Sequence, residues 1–343
     1  MHPAPVLEGV MQAANVHAGW ANSGAGIFTV SGNGTLVFAP GGMGPDPNRQ
    51  FTWVGHDGGT QALSAVAKGG LLAPRVSPDG KWLAFQTSGL DMNLWVHDLD
   101  RGTNTKLTDG GRVHWLSWTP DGERIVFGYS QGGVANLFWM SRRGNGPMER
   151  LTTSEYLQQP GFWSPDGRYL SFVQWRPFEG TAIWILDMNS REVRPFLRSE
   201  NQYTFPEFSP DGRWIAYVSD QSGREEVWVG SFPDHDQRLL VSNEGGTAPA
   251  WSPDGSEIYY LLRNKMMVVE VGAGSELTLG NPRNLIEVPS TSRGPLRGYD
   301  ITPDGSRFIF TADVETGSGN PPVRQLQVVL NWFEELKRLV PTE

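Results

Sequence analysis

Short apolar runs alternate with polar turn clusters along nearly the whole chain, the pattern of half-buried strands rather than helices. Trp82-Leu83-Ala84-Phe85, Ile125-Val126-Phe127, Tyr169-Leu170-Ser171-Phe172, Trp214-Ile215-Ala216-Tyr217, Ile258-Tyr259-Tyr260 and Phe308-Ile309-Phe310 are the clearest runs. Each comes after a Ser/Thr-Pro-Asp-Gly tetrapeptide, which begins at Ser77, Thr119, Ser164, Ser209, Ser252 and Thr302. A degenerate copy, Ser31-Gly32-Asn33-Gly34, precedes them, and successive copies start 42 to 50 residues apart. A regular period of this length marks a repeat architecture.

The tetrapeptide has the chemistry of a tight hairpin. Proline presets φ at the first central position, aspartate suits the second, and glycine supplies the positive φ at the next. A second apolar run comes about ten residues after the first, as at Leu94-Trp95-Val96 and Val227-Trp228-Val229, and a third, shorter run closes the unit. With the strand before the turn, each unit holds four strands. Such a sheet cannot bury both faces alone, and stacked four-stranded units favour a propeller over a solenoid. The expectation is therefore an all-β, seven-bladed β-propeller of four-stranded antiparallel blades, forming a single domain over 1–343. The last blade runs short of strands, so Pro5–Val10, within a closing segment 1–10, is expected to pair with Gln325–Leu330 and complete it. Residues 331–339 read as a short C-terminal helix, with Asn331 as cap, acids early and bases late.

The hydrophobic–Ser-Pro-Asp-Gly–x–aromatic/aliphatic–Ala-Phe repeat resembles the TolB-type propeller repeat of bacterial proteins, over nearly the whole chain. Pro5-Val6-Leu7-Glu8-Gly9-Val10 and the closing Leu326–Leu336 stretch are similar to the C-terminal propeller regions of bacterial serine/threonine protein kinases. That resemblance implies a sensor or interaction module and an extracytoplasmic, periplasmic setting, although no signal peptide precedes residue 1. The chain itself carries no Gly-rich loop before a Val-Ala-x-Lys strand, no His-Arg-Asp and no Asp-Phe-Gly.

Composition narrows the chemistry. The 343 residues include no cysteine, which removes disulfides, thiolate metal sites and cysteine nucleophiles. A net charge of −9 argues against nucleic acid or an anionic membrane as partner. No apolar run is long enough to span a bilayer, so no membrane insertion is expected. There is no Gly-x-Ser-x-Gly elbow, no phosphate loop and no His-Glu-x-x-His helix. The repeated aspartates read as turn formers, and the recurrent tryptophans as packing between blades.

Function is expected in the loops entering each first strand, at the mouth of the central channel. They present His114, Tyr156, Tyr203, Arg297 and Tyr299 as ligand-binding candidates, with His17 and Arg293 nearby. They also place Glu155, Glu200 and Glu244 eight or nine residues before three successive turns. Three carboxylates there could ligate calcium or another hard cation, or anchor a cationic ligand. Equally, each could accept backbone hydrogen bonds or pair with a neighbour such as Arg198. The leading expectation is a monomeric, non-catalytic binding or sensor module for a protein, peptide or glycan. The alternative is a calcium-dependent hydrolase of the propeller lactonase or phosphotriesterase type, acting at the channel mouth. A structural part in an envelope assembly is a third class, resting on the TolB likeness alone.

Overall fold

A computed structural model describes residues 28–38, 48–88, 92–272, 276–289, 297–314 and 326–339. Contacts divide the chain into two compact units. One comprises Met1–Asn48, Arg293–Pro295 and Val314–Glu343, and the other comprises Arg49–Ser292 and Leu296–Asp313.

The larger unit holds six antiparallel sheets. The first four run in sequence order, each built from four consecutive strands that begin at Leu71–Val76, Arg112–Trp118, Leu157–Trp163 and Tyr203–Phe208. The fifth starts at Thr247–Trp251 and has five strands, because both Thr278–Leu279 and Arg283–Glu287 pair with Lys265–Gly272. The sixth joins the two ends of the unit. Tyr299–Ile301 pairs with Arg307–Asp313, which pairs in turn with Arg49–Gly55 over seven residues, and Thr60–Ala62 lies outermost. The partner of Arg307–Asp313 is therefore Arg49–Gly55, and Gln327–Val329 belongs to a different sheet. An N-terminal segment does complete a C-terminal sheet in this unit, but it is one far downstream of Pro5–Val10.

The tetrapeptides form the hairpins expected of them. In the copy at Thr302, the Thr302 hydroxyl donates to Asp304 Oδ1 at 2.6 Å, and Asp304 Oδ1 also accepts from Ser306 N–H at 3.0 Å. Glycine takes the left-handed conformation in all six copies, with φ from 67° to 76°. Each turn packs on its neighbour. A Cβ added at Gly212 would lie 3.4 Å from Pro165 of the preceding turn, and Gly80 of the first turn abuts Pro303 of the last. Between sheets, apolar faces interlock. Val126 and Leu137 of the second sheet, for example, pack with Trp163, Leu170, Phe172 and Leu186 of the third. Trp118, Trp163 and Trp251 are all buried in such interfaces, as their recurrence suggested.

The smaller unit carries the degenerate turn. Ser31–Gly34 joins Phe28–Val30 to Leu36–Phe38, with Gly34 at φ 78°. Gln327–Val329 pairs with Leu36–Phe38, giving a three-stranded sheet, and Trp332–Leu339 forms the expected helix. The seventh hairpin thus exists, though in a sheet of three described strands rather than four. The partnering expected of Pro5–Val10 lies outside the described residues.

Candidate functional site

The first strand of each sheet in the larger unit packs on the sheet before it, and five of the six are irregular at one repeated place. Ala73, Trp115, Phe205 and Ala248 each stand four residues before a turn serine or threonine, with φ of 50°, 48°, 53° and 52°. The strand register shifts there in each case, and it shifts again just after the equivalent Pro160. Non-glycine residues in this conformation cost about 1–3 kcal/mol each, and such bulges re-aim the side chains beyond them.

The positions two residues before each turn are held by Arg75, Ser117, Phe162, Glu207, Ala250 and Asp300. Four of these converge with Arg297 in a buried charged cluster. Arg297 Nη1 donates to Glu207 and, at 3.2 Å, to Pro249 O, while its Nη2 donates to Asp300 Oδ1 at 2.6 Å. The other Asp300 oxygen accepts from Val76 N–H at 2.8 Å. Arg75 Nη1 donates to the carbonyls of Pro74, Arg297 and Tyr299. Both guanidiniums lie over the Phe162 ring, at 4.2 Å for Arg297 and 5.5 Å for Arg75. One network thereby ties strands of the first, third, fourth, fifth and sixth sheets.

Two cations and two carboxylates make up the cluster, and burial acts on Glu207 and Arg75 in opposite directions. Desolvation pushes the Glu207 carboxyl above its ordinary range even beside Arg297. Burial, then the neighbouring Arg297 charge, lowers the Arg75 guanidinium to about 10. The cluster is rich in internal bonds and closed to solvent. It can fix strands, and it offers little to a substrate.

Several residues expected at a binding mouth are in fact consumed by the fold. Arg297 belongs to this cluster. Tyr299 is fully buried and donates its hydroxyl to Ala248 O at 2.7 Å. Tyr203 is buried, with its hydroxyl 2.8 Å from Ser199 Oγ. His114 is buried against Trp115 and pushed down to about 4, first by burial and then by the charge of Arg112, so it stays neutral at physiological pH. Tyr156 is half-buried under the Arg176 guanidinium, 4.7 Å from its ring centroid. His17 and Arg293 lie outside the described residues.

Glu155, Glu200 and Glu244, by contrast, are exposed. Among the described residues no group of three or more His, Asp or Glu side chains is gathered closely enough to hold a metal ion. Glu244 shares an open depression of about 380 Å³ with Arg224, Arg263 and Lys265. The structure therefore sets Glu244 among cations and does not bring the three glutamates together as a metal centre. Arg75, Glu207 and Asp300 were overlooked in the sequence. Their signal was there to read: a charge two residues before the turn, inside a strand whose other residues are largely apolar.

Comparison with known proteins agrees with this architecture. The chain belongs to the TolB β-propeller domain family, whose pattern matches residues 56–179 and 162–319. It is 28% identical over 154 residues to a putative Tricorn-like protease C-terminal subunit of Sulfurisphaera tokodaii, a match covering 43% of this chain and 17% of that protein. The chain thus corresponds to a small part of that relative's length. A putative TolB from Agrobacterium tumefaciens superposes with a TM-score of 0.61 at 19% identity, over 79% of this chain and 99% of that one. A chain of a nidogen/laminin complex superposes with a TM-score of 0.51 at 12% identity, over 69% and 97%. At these identities the structural likeness is one of fold.

Proposed function

We propose that this chain is a non-catalytic protein-binding module, presenting the loops opposite its Pro-Asp-Gly turns to a partner. The observation that carries the reading is a division of labour among the candidate residues. Interior ones are engaged in bonds that hold strands together, whereas Glu155, Glu200 and Glu244 on the entering loops remain exposed. A fold-mate in a nidogen/laminin complex supports a protein as the partner class. We extend the proposal to the smaller unit. Pro5–Val10 adds a fourth strand beside Gln327–Val329, making a seventh four-stranded sheet, and the whole chain unfolds as one domain.

The test pairs two titrations on the parent and on a Glu155→Gln, Glu200→Gln, Glu244→Gln variant. A purified partner, recovered by crosslinking from the loop end, should bind the variant more weakly while calcium gives no heat with either protein. A calcium isotherm in the parent that vanishes in the variant would replace this reading with the metal-dependent one.

A further inference from the structure

The third sheet carries the longest hairpin in the molecule's larger unit. Tyr169–Arg176 and Gly180–Asp187 have eight residues each, against six and six for the equivalent pair in the fourth sheet. Arg176 pairs with Gly180, so Pro177, Phe178 and Glu179 form the tip, at the end of the blade opposite its Pro-Asp-Gly turn. Phe178 sits there with φ of 67° and a relative exposure of 107%, touching essentially nothing. A bulky residue in the left-handed region is a strained choice where glycine or asparagine costs least, and a wholly exposed phenyl ring adds no packing in return.

The loop around this ring is nonetheless braced on every side. The Arg176 guanidinium lies between the Tyr156 and Trp184 rings, at 4.7 and 5.6 Å. Glu179 is bridged by Arg176 at 3.5 Å and by Arg198 at 3.1 Å. Gln202, from the loop entering the fourth sheet, accepts from Thr181 N–H at 2.9 Å and from its hydroxyl at 3.1 Å. A strained, unburied aromatic on a braced hairpin is what a preorganised contact residue looks like, because the cost of ordering the loop beneath it is met before binding.

We propose that Phe178 is the anchor of a protein-docking surface, inserting into an apolar pocket of one-ring size on a folded partner. Exposed Glu155 adjoins Tyr156 and exposed Glu200 stands two residues before Gln202, the residues that contact the base of the hairpin, so with Glu179 the acids at this end outnumber Arg176 and Arg198. The pocket of the partner is therefore rimmed by basic side chains. A single ring on a chain of net charge −9 does not suit an anionic bilayer. This inference rests on the protein-binding reading above and locates its contact.

The experiment places a photoreactive azido-phenylalanine, whose side chain keeps a single ring, at position 178 of the full chain, and in a separate protein at Lys81, after the turn of the first sheet. The expected result is one crosslinked heterologous protein from position 178. Once purified, that protein should lose at least tenfold in affinity for Phe178→Ser and for Phe178→Gly, and its binding should weaken with salt. Phe178→Gly relieves the strained φ as it removes the ring, so its melting temperature should hold or rise while binding is lost. Crosslinking from Lys81 alone would overturn this surface and leave the binding-module reading standing. No crosslink from either position would overturn both. Crosslinking of 178 to a second copy, or Phe178-dependent binding to phosphatidylglycerol vesicles, would also overturn it, as would affinity unchanged in Phe178→Gly.

Discussion

Replacing Arg297 by methionine removes the cation shared by Glu207 and Asp300 and keeps most of the side-chain volume. Arg297 is 3% exposed, so the two carboxylates it leaves behind cannot turn to water without opening the interior. Breaking a buried ion pair from one side typically costs about 3–5 kcal/mol, and loss of the contact over Phe162 acts in the same direction. A shift of that size in urea denaturation, at unchanged m, is the expected outcome. Adding Glu207→Gln should recover about 1–3 kcal/mol, since glutamine still accepts from Trp251 N–H without a stranded charge. The pH dependence supplies a second check. Burial raises the folded carboxyl of Glu207 above its unfolded value, so its contribution is fully present below the unfolded pKa and is lost as pH rises through the folded one. The deficit of Arg297→Met should accordingly be smaller near pH 5 than at pH 8. A deficit under about 1 kcal/mol, or one equal at both pH values, would refute the view that this cluster holds the inner strands together.

Three further outcomes are expected from the same geometry. Gly212→Val, at φ 73° and with Pro165 3.4 Å from the new Cβ, should cost about 1–3 kcal/mol in chemical denaturation. Gly133→Val, in open space, should cost far less, and equal losses would contradict the assigned turns. Asp121, Asp166, Asp254 and Asp304 are held below the ordinary carboxylate range, first by the hydroxyl at the head of each turn, Asp304 at about 2. Stability should therefore be fully present above about pH 4 and fall as pH drops toward 2, with a shallower fall in the four-fold Asp→Asn variant; parallel pH curves for the two proteins would count against it. Deleting residues 1–10 should lower the melting temperature and promote association through the exposed edge of Gln327–Val329, and a truncated protein that melts like the parent as a monomer would remove the proposed fourth strand.

The repeat made most of the fold legible. A turn that needs proline, aspartate and glycine in fixed order can be read without any tertiary information, and so can the alternating strand after it. Pairing at the ends could not be read in this way. Arg49-Gln50-Phe51-Thr52-Trp53-Val54-Gly55 stands behind no Pro-Asp-Gly turn, so nothing local marks it as a third strand, yet it completes the sheet of Arg307–Asp313. The burial of several candidate residues was hidden for a related reason. Position in an entering loop says that a side chain is near the end of a strand, but not which way it points. Tyr203 and Tyr299 begin strands and are buried in the core, while Glu155 and Glu200, a few residues earlier in their loops, remain in water.

The bulges bear on how Arg75 and Glu207 could be placed so deep. An uninterrupted strand would carry its alternation straight into the turn, keeping the residue two positions before the serine in register with the apolar face. Taking Ala73, Phe205 and Ala248 into left-handed backbone resets that alternation, and Arg75, Glu207 and Ala250 then pair opposite Ala84, Ala216 and Tyr259. Small partners at 84 and 216 leave room for the long charged side chains. The strain at each bulge and the desolvation of each charge are offset only when all the partners are present, so the five sheets of the network specify one another rather than folding as interchangeable copies. The hairpin at Ser31 shows what the turn alone provides. Phe28–Val30 leads into a degenerate turn that lacks the proline and aspartate, and its three residues are exposed. Under the proposed binding role, recognition falls to the parts that project from the sheets, which is where the braced Phe178 hairpin and the exposed glutamates are found.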